Sequence, residues 1–180
     1  MDFAREAAEL LPYIQNHRRH IHQYPELSFR EKETTEYIQK ELESMGIEVI
    51  RFSDYYGLIG VLKGGRAGKT VLLRADIDAL GIREENELDF CSVHAGVMHA
   101  CGHDCHSAML LGAAKILSAY RDALKGTVKF LFQSAEESGH GANYYVDHGC
   151  LDGVDAAMAI HMMNEIPEGT FSIEAGPRMA

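Results

Sequence analysis

The sequence predicts an α/β fold, a mixed central sheet with a mostly parallel core flanked by helices, and three observations predict it. Its 180 residues are 46% hydrophobic and 24% charged, the composition of a globular chain long enough to bury one core. Through its second half, short apolar runs alternate with amphipathic stretches, as strands do when helices join them. The runs VLLRA, VKFLF and AAMAI are almost continuously apolar, as expected of strands covered by helices on both faces.

Each element follows in order. Leu10, Leu11, Ile14 and Ile21 recur mostly at helical spacing until Tyr24-Pro25, predicting a surface helix in which His17, His20 and His22 are surface or packing residues. Ser28-Phe29-Arg30-Glu31 has capping-box spacing and announces a second helix, which carries Tyr37, Ile38, Leu42 and Met45 and stops at Gly46. Residues 48–52, 58–62 and 71–75 then read as strands, with Gly64-Gly65-Arg66-Ala67-Gly68 as a hairpin turn. Beyond them the pattern predicts a helix over 106–120, a strand over 127–132, a helix over 141–148, a strand over 156–160 and a last strand over 169–180.

Composition excludes several partners. A formal charge of −10 is the wrong sign for a phosphate-backbone binder, which needs a basic stripe, so no nucleic acid is expected. The first residues carry acids where a signal peptide carries positive charge, and no apolar run reaches membrane-spanning length. Cys91, Cys101, Cys105 and Cys150 therefore read as reduced thiols or metal ligands, and the expected setting is cytoplasmic.

The chemistry concentrates in Met98-His99-Ala100-Cys101-Gly102-His103-Asp104-Cys105-His106, where His99, Cys101, His103, Asp104, Cys105 and His106 all have metal-binding side chains. Any one of them alone is an ordinary core residue; as a cluster they are the N and S donors that borderline divalent ions prefer. Ser134-Ala135-Glu136-Glu137 follows one apolar run, His161 another, and Asp76 and Asp78 a third. Ligands of open α/β sheets bind outside the carboxyl ends of strands, so these termini converge on one edge. A hydrolytic metal needs protein ligands, an open position and a free carboxylate as base. Adjacent Glu136 and Glu137 suit that division, with Asp76 and Asp78 supporting the ligands.

At these residues the chain resembles the aminoacylase and hippurate-hydrolase family of metallopeptidases, in the branch with hydrolases of indole-acetyl amino acids. The resemblance runs through His22-Gln23-Tyr24-Pro25-Glu26-Leu27, Arg74-Ala75-Asp76-Ile77-Asp78-Ala79-Leu80, His99-Ala100-Cys101-Gly102-His103-Asp104, Gly126-Thr127-Val128, residues 133–137, and His161 with Pro167-Glu168-Gly169. It implies a zinc-peptidase-like catalytic domain with a dinuclear site. Cys101, His103, Glu137 and His161 would be metal ligands, Cys101 the bridge, Glu136 the general base and Asp78 a supporting aspartate. The ions would be zinc, manganese, cobalt or nickel, and the substrate a small N-acyl amino acid cleaved at its amide. Two departures stand out: Ser134 and Gly81 occupy positions where the family usually has proline. Family members also continue into a lid domain that mediates homodimerisation, then return to supply another histidine. The chain thus reads as the N-terminal part of the catalytic domain, residues 1–180, with hydrolysis expected to be impaired. Two alternatives accompany this: a non-catalytic metal-binding chain, and a thiol hydrolase with Cys101 as nucleophile and His103 or His99 as base.

Overall fold

The computed structural model describes residues 2–173, 175 and 176. Strand β4 (Lys125–Gln133) shows how the sheet is built. Phe130 and Phe132 point to one face and Leu131 to the other, the two-residue alternation of a strand, and all three are buried. Hence both faces of β4 need cover. On one face Phe130 and Phe132 pack with Ile38 and Leu42 of helix α3 (Lys32–Ser44) and with Leu110, Leu111 and Ala114 of helix α4 (His103–Ala119). On the other, Leu131 packs with Ile59, Leu72, Tyr145 and Cys150, Tyr145 belonging to helix α5 (Gly141–Asp147). Each such fully buried apolar side chain contributes about 1.5–3 kcal/mol.

The sheet has five strands, adding β1 (Glu48–Arg51), β2 (Leu58–Lys63), β3 (Arg66–Asp76) and β5 (Ala156–Ala159), in the order β1-β2-β4-β3-β5. Strand β3 runs parallel to both β4 and β5, whereas β1/β2 and β2/β4 are antiparallel. The predicted mixed sheet with its parallel core is thus present, centred on β3.

Five local expectations need correction. The first helical stretch is two helices, α1 (Phe3–Glu9) and α2 (Leu11–Gln23), meeting at Leu10, with Pro12 in the first turn of the second. Proline lacks the N–H that an uninterrupted helix needs there. The capping box does not form: α3 starts at Lys32, and the Glu31 carboxylate turns inward to accept the Ala135 N–H at 2.8 Å. The glycine-rich segment is not a hairpin turn, because β4 inserts between β2 and β3. Instead it passes the start of β4 so closely that a Cβ on Gly64 or Gly65 would lie 2.6 Å from the Leu124 or Asp122 carbonyl oxygen. All four residues of β5 are exposed, so its apolar run is not covered on both faces among the described residues. Residues 169–173, 175 and 176 form no strand, and the rest of the expected last strand lies outside the described residues.

Candidate metal centre

Strand β3 ends in Asp76, and Asp78 follows two residues later, both nearly inaccessible. Helix α4 starts beside them, with Gly102 as its N-cap at φ 88°. The first turn of α4 therefore delivers His103 and His106, three residues apart on one helix face, against the end of β3. His103 is fully buried and its Nδ1 lies 2.8 Å from the Asp78 carbonyl oxygen. A carbonyl only accepts, so Nδ1 carries a proton, and in the neutral ring Nε2 keeps its lone pair. That lone pair has no partner, and neither has buried Glu137 Oε1, 3.7 Å away. His161 repeats the arrangement: its Nδ1 donates to the Met162 carbonyl at 2.6 Å, and its Nε2 faces Cys101 Sγ at 3.5 Å. Donating one ring N–H to fix the other nitrogen is the usual condition of a metal-ligating histidine.

The two glutamates are already distinct. Both approach His103 Nε2, at 3.8 Å for Glu136 and 3.7 Å for Glu137, but the Glu136 side chain is 39% exposed against 21% for Glu137. The turn that carries them is strained. Buried Ala135 sits at φ 57°, a left-handed conformation that persists in a non-glycine residue only when its surroundings enforce it. Here they do: Glu31 accepts the Ala135 N–H, Tyr145 Oη accepts the Ser134 N–H at 2.9 Å, and Asp78 Oδ2 accepts the Glu137 N–H at 3.0 Å. Ser134, where the family usually has proline, thus uses an N–H that proline lacks. Gly81 has open space around it.

Charge follows from this geometry. Burial would raise the Asp78 and Asp76 pKa values, but their hydrogen bonds and cationic neighbours outweigh it. Asp78 falls below the usual carboxylate range, and Asp76 is held at about 2 by His106, His103 and Arg74. The Cys101 thiol is pushed up to about 12 by burial and by the negative charge of Glu137 and Glu136. Such a thiol is a poor nucleophile and becomes a thiolate readily only when a cation joins it. Three donor sets lie close enough to share an ion, Cys101/His103/His161, His103/Glu136/Glu137 and Asp76/His103/His106. The donors and unpartnered atoms fit divalent metal ions.

All six residues singled out in the sequence, Cys101, His103, Glu137, His161, Glu136 and Asp78, therefore meet in one place. His99 does not join them: it is buried with both ring nitrogens unpartnered, and burial pushes its pKa down to about 4. Cys105, Cys91 and His140 are likewise absent from the donor sets. The sequence reading underrated His22, which is buried between Asp104 and Glu84 at 2.8 and 3.0 Å. It read Ser28 and Glu31 only as a capping box and counted His106 only among the possible metal donors.

A parallel-cored α/β domain that gathers Cys, His and Glu donors in one place has the make-up of a divalent-metal-binding protein. The model of peptidase family M20/M25/M40 matches residues 72–176, and the chain belongs to that family. It is 48% identical over 163 residues to an N-acetyl-L-cysteine deacetylase of Bacillus subtilis, covering 91% of this chain and 39% of that protein. It is 45% identical over 164 residues to an N-acyl-L-amino acid amidohydrolase of Geobacillus stearothermophilus, covering 91% and 44%. Among solved structures, a dinuclear metal-binding peptidase of the M20 family from Bacillus subtilis superposes with a TM-score of 0.88 at 44% identity, covering 92% of this chain and 47% of that one. The chain spans less than half the length of these relatives. No helix among the described residues is long and apolar enough to cross a membrane.

Proposed function

We propose that this chain is the metal-binding, N-terminal part of the catalytic domain of an amidohydrolase that cleaves the amide of N-acyl amino acids. The observation that carries the reading is the unpartnered pair, His103 Nε2 and Glu137 Oε1, buried 3.7 Å apart beside Cys101 and His161. Two divalent ions, from among zinc, manganese, cobalt and nickel, would be held by Cys101, His103, Glu137 and His161. Each histidine would offer one free ring nitrogen, Glu137 its carboxylate and Cys101 its thiolate, with Cys101 as the bridge that the family resemblance implies.

When bound, such ions polarise a carbonyl and lower the pKa of water to about 7. The rest falls to the protein. Glu136, the more exposed carboxylate, takes the proton of the attacking water and returns it to the leaving nitrogen. Asp78 holds the Glu137 N–H and faces His103, and Glu31 holds the turn, so the donors stand ready without rearrangement. The relatives' names support the substrate class, because two of them act on N-acyl amino acids or N-acetylcysteine.

Cobalt(II) titration tests the metal, and should give a thiolate charge-transfer band that Cys101→Ser removes. Glu136→Gln should retain cobalt and abolish cleavage of an N-acyl amino acid panel; unchanged cleavage removes Glu136 from its role. Full activity in chelator with loss on thiol alkylation would establish the thiol enzyme instead, against which the raised Cys101 pKa already weighs. A second reading is metal binding without turnover. It expects cobalt uptake with no cleavage by the 180-residue chain.

A further inference from the structure

His106 is 3% exposed, yet the ion set proposed above leaves it without a task. Its Nδ1 lies 2.5 Å from Asp76 Oδ1, and its Nε2 lies 2.8 Å from the backbone nitrogen of Met162. A carboxylate accepts and an amide N–H donates, so the ring is a neutral imidazole with its proton on Nδ1 and its Nε2 lone pair engaged. His106 thus has no lone pair left for an ion, although it stands with Asp76 and His103 in a group of donor atoms within 4.8 Å of one another.

What this ring does hold is the residue after His161. Met162 is a pivot: its N–H is bound by His106, and its carbonyl binds His161 Nδ1 at 2.6 Å. His161 itself is exposed and follows a strand whose four residues are all exposed, so packing does little to aim it. The His106 and His161 rings lie 4.7 Å apart at 61°. Gly102 leaves room for the pivot, because a Cβ there would meet the Met162 Cβ at 3.0 Å.

We propose that His106 is the positioning residue for His161: Asp76 orients His106, His106 clamps the Met162 backbone, and the clamp aims His161 Nε2 at Cys101 before any ion arrives. The role rests on the metal reading above. Ligands fixed in advance bind more tightly because less ordering remains to be done, and loss of such a supporting contact typically costs about 10–100-fold in metal affinity.

Cobalt(II) binding to wild type, His106→Leu, His161→Ala and the double variant decides it. His106→Leu should weaken binding by about 10–100-fold, keep the Cys101 thiolate band, and shift the cobalt d–d bands as His161→Ala does. In the double variant it should add nothing to His161→Ala. His106→Gln, which retains an acceptor for the Met162 N–H, should recover most of the affinity; should the leucine variant fail to fold, His106→Asn, which keeps a donor for Asp76 but is too short to accept the Met162 N–H, replaces it in the cycle. Additive losses mean that His106 acts as a ligand or as general scaffold, and overturn the proposal. So does wild-type affinity in a folded His106→Leu protein. A wild-type chain with no cobalt thiolate band removes the metal reading itself, and this role with it.

Discussion

Two segments bring donors to the same site by different means. The turn at residues 134–137 is buried at Ser134 and Ala135 and left-handed at Ala135. It is held by Glu31, Asp78 and Tyr145, groups from three other parts of the chain. The described residues from His161 onward are almost all exposed, with Phe171 84% and Ile173 87% accessible. Among their polar ties to the body are the Met162 N–H on His106 and the His161 contact with Cys101. Backbone strain survives where several independent contacts over-determine it; an exposed segment relies on single contacts, and each matters more for it.

The two segments should differ most in stability. Phe130→Ala, in the core of the strand that leads into this turn, should cost about 3–5 kcal/mol, whereas Phe171→Ser should stay within about 0.5 kcal/mol. Denaturant unfolding of both measures the contrast, and equal losses would show that the outer segment is part of the cooperative core.

Asp78→Ala comes next, because it leaves Ser28 Oγ and the Glu137 N–H without their shared acceptor. Cobalt affinity should fall by about 10–100-fold, and unchanged affinity would show that the turn holds itself.

Acid should loosen the clamp side. The folded pKa of Asp76, about 2, lies below the ordinary 3.8, so its contribution is complete above pH 3.8 and is lost as pH falls through 2. About 2 kcal/mol is involved, and it should be missing from the acid-unfolding profile of Asp76→Asn. Near neutral pH the Cys101 thiol, pushed up to about 12, is protonated. Metal uptake should therefore release its proton, and affinity should rise roughly tenfold per pH unit. Calorimetry in buffers of different ionisation enthalpy counts the protons, and the Cys101→Ser protein should release one fewer. The smallest effect is Gly81→Ala. With open space around that position, it should stabilise the chain by about 0.4–1 kcal/mol through the unfolded state.

Much of this architecture was legible because it is written in local patterns. The alternation of Phe130, Leu131 and Phe132 marks a strand whatever surrounds it, and the Cys101-x-His103 pair marks a metal loop through its donors alone. Elements failed where a long-range contact outbid the local signal. Glu31 has the spacing of a capping residue, but the strained turn at Ala135 claims its carboxylate. The glycines at 64 and 65 look like a hairpin turn, but they are there so that β4 can approach and separate β2 from β3. His106 was hidden because its partners, Asp76 and Met162, lie 30 and 56 residues away.

Periodicity and side-chain chemistry are properties of short stretches, so the fold class, the donor types and the segments that carry them are readable from the residues alone. Which donors are free to act is set by the folded chain. His103, His106 and His161 are chemically identical, and so are Glu136 and Glu137. Which nitrogen keeps its lone pair, and which carboxylate faces water, depends on hydrogen bonds and burial supplied by residues far off in the chain.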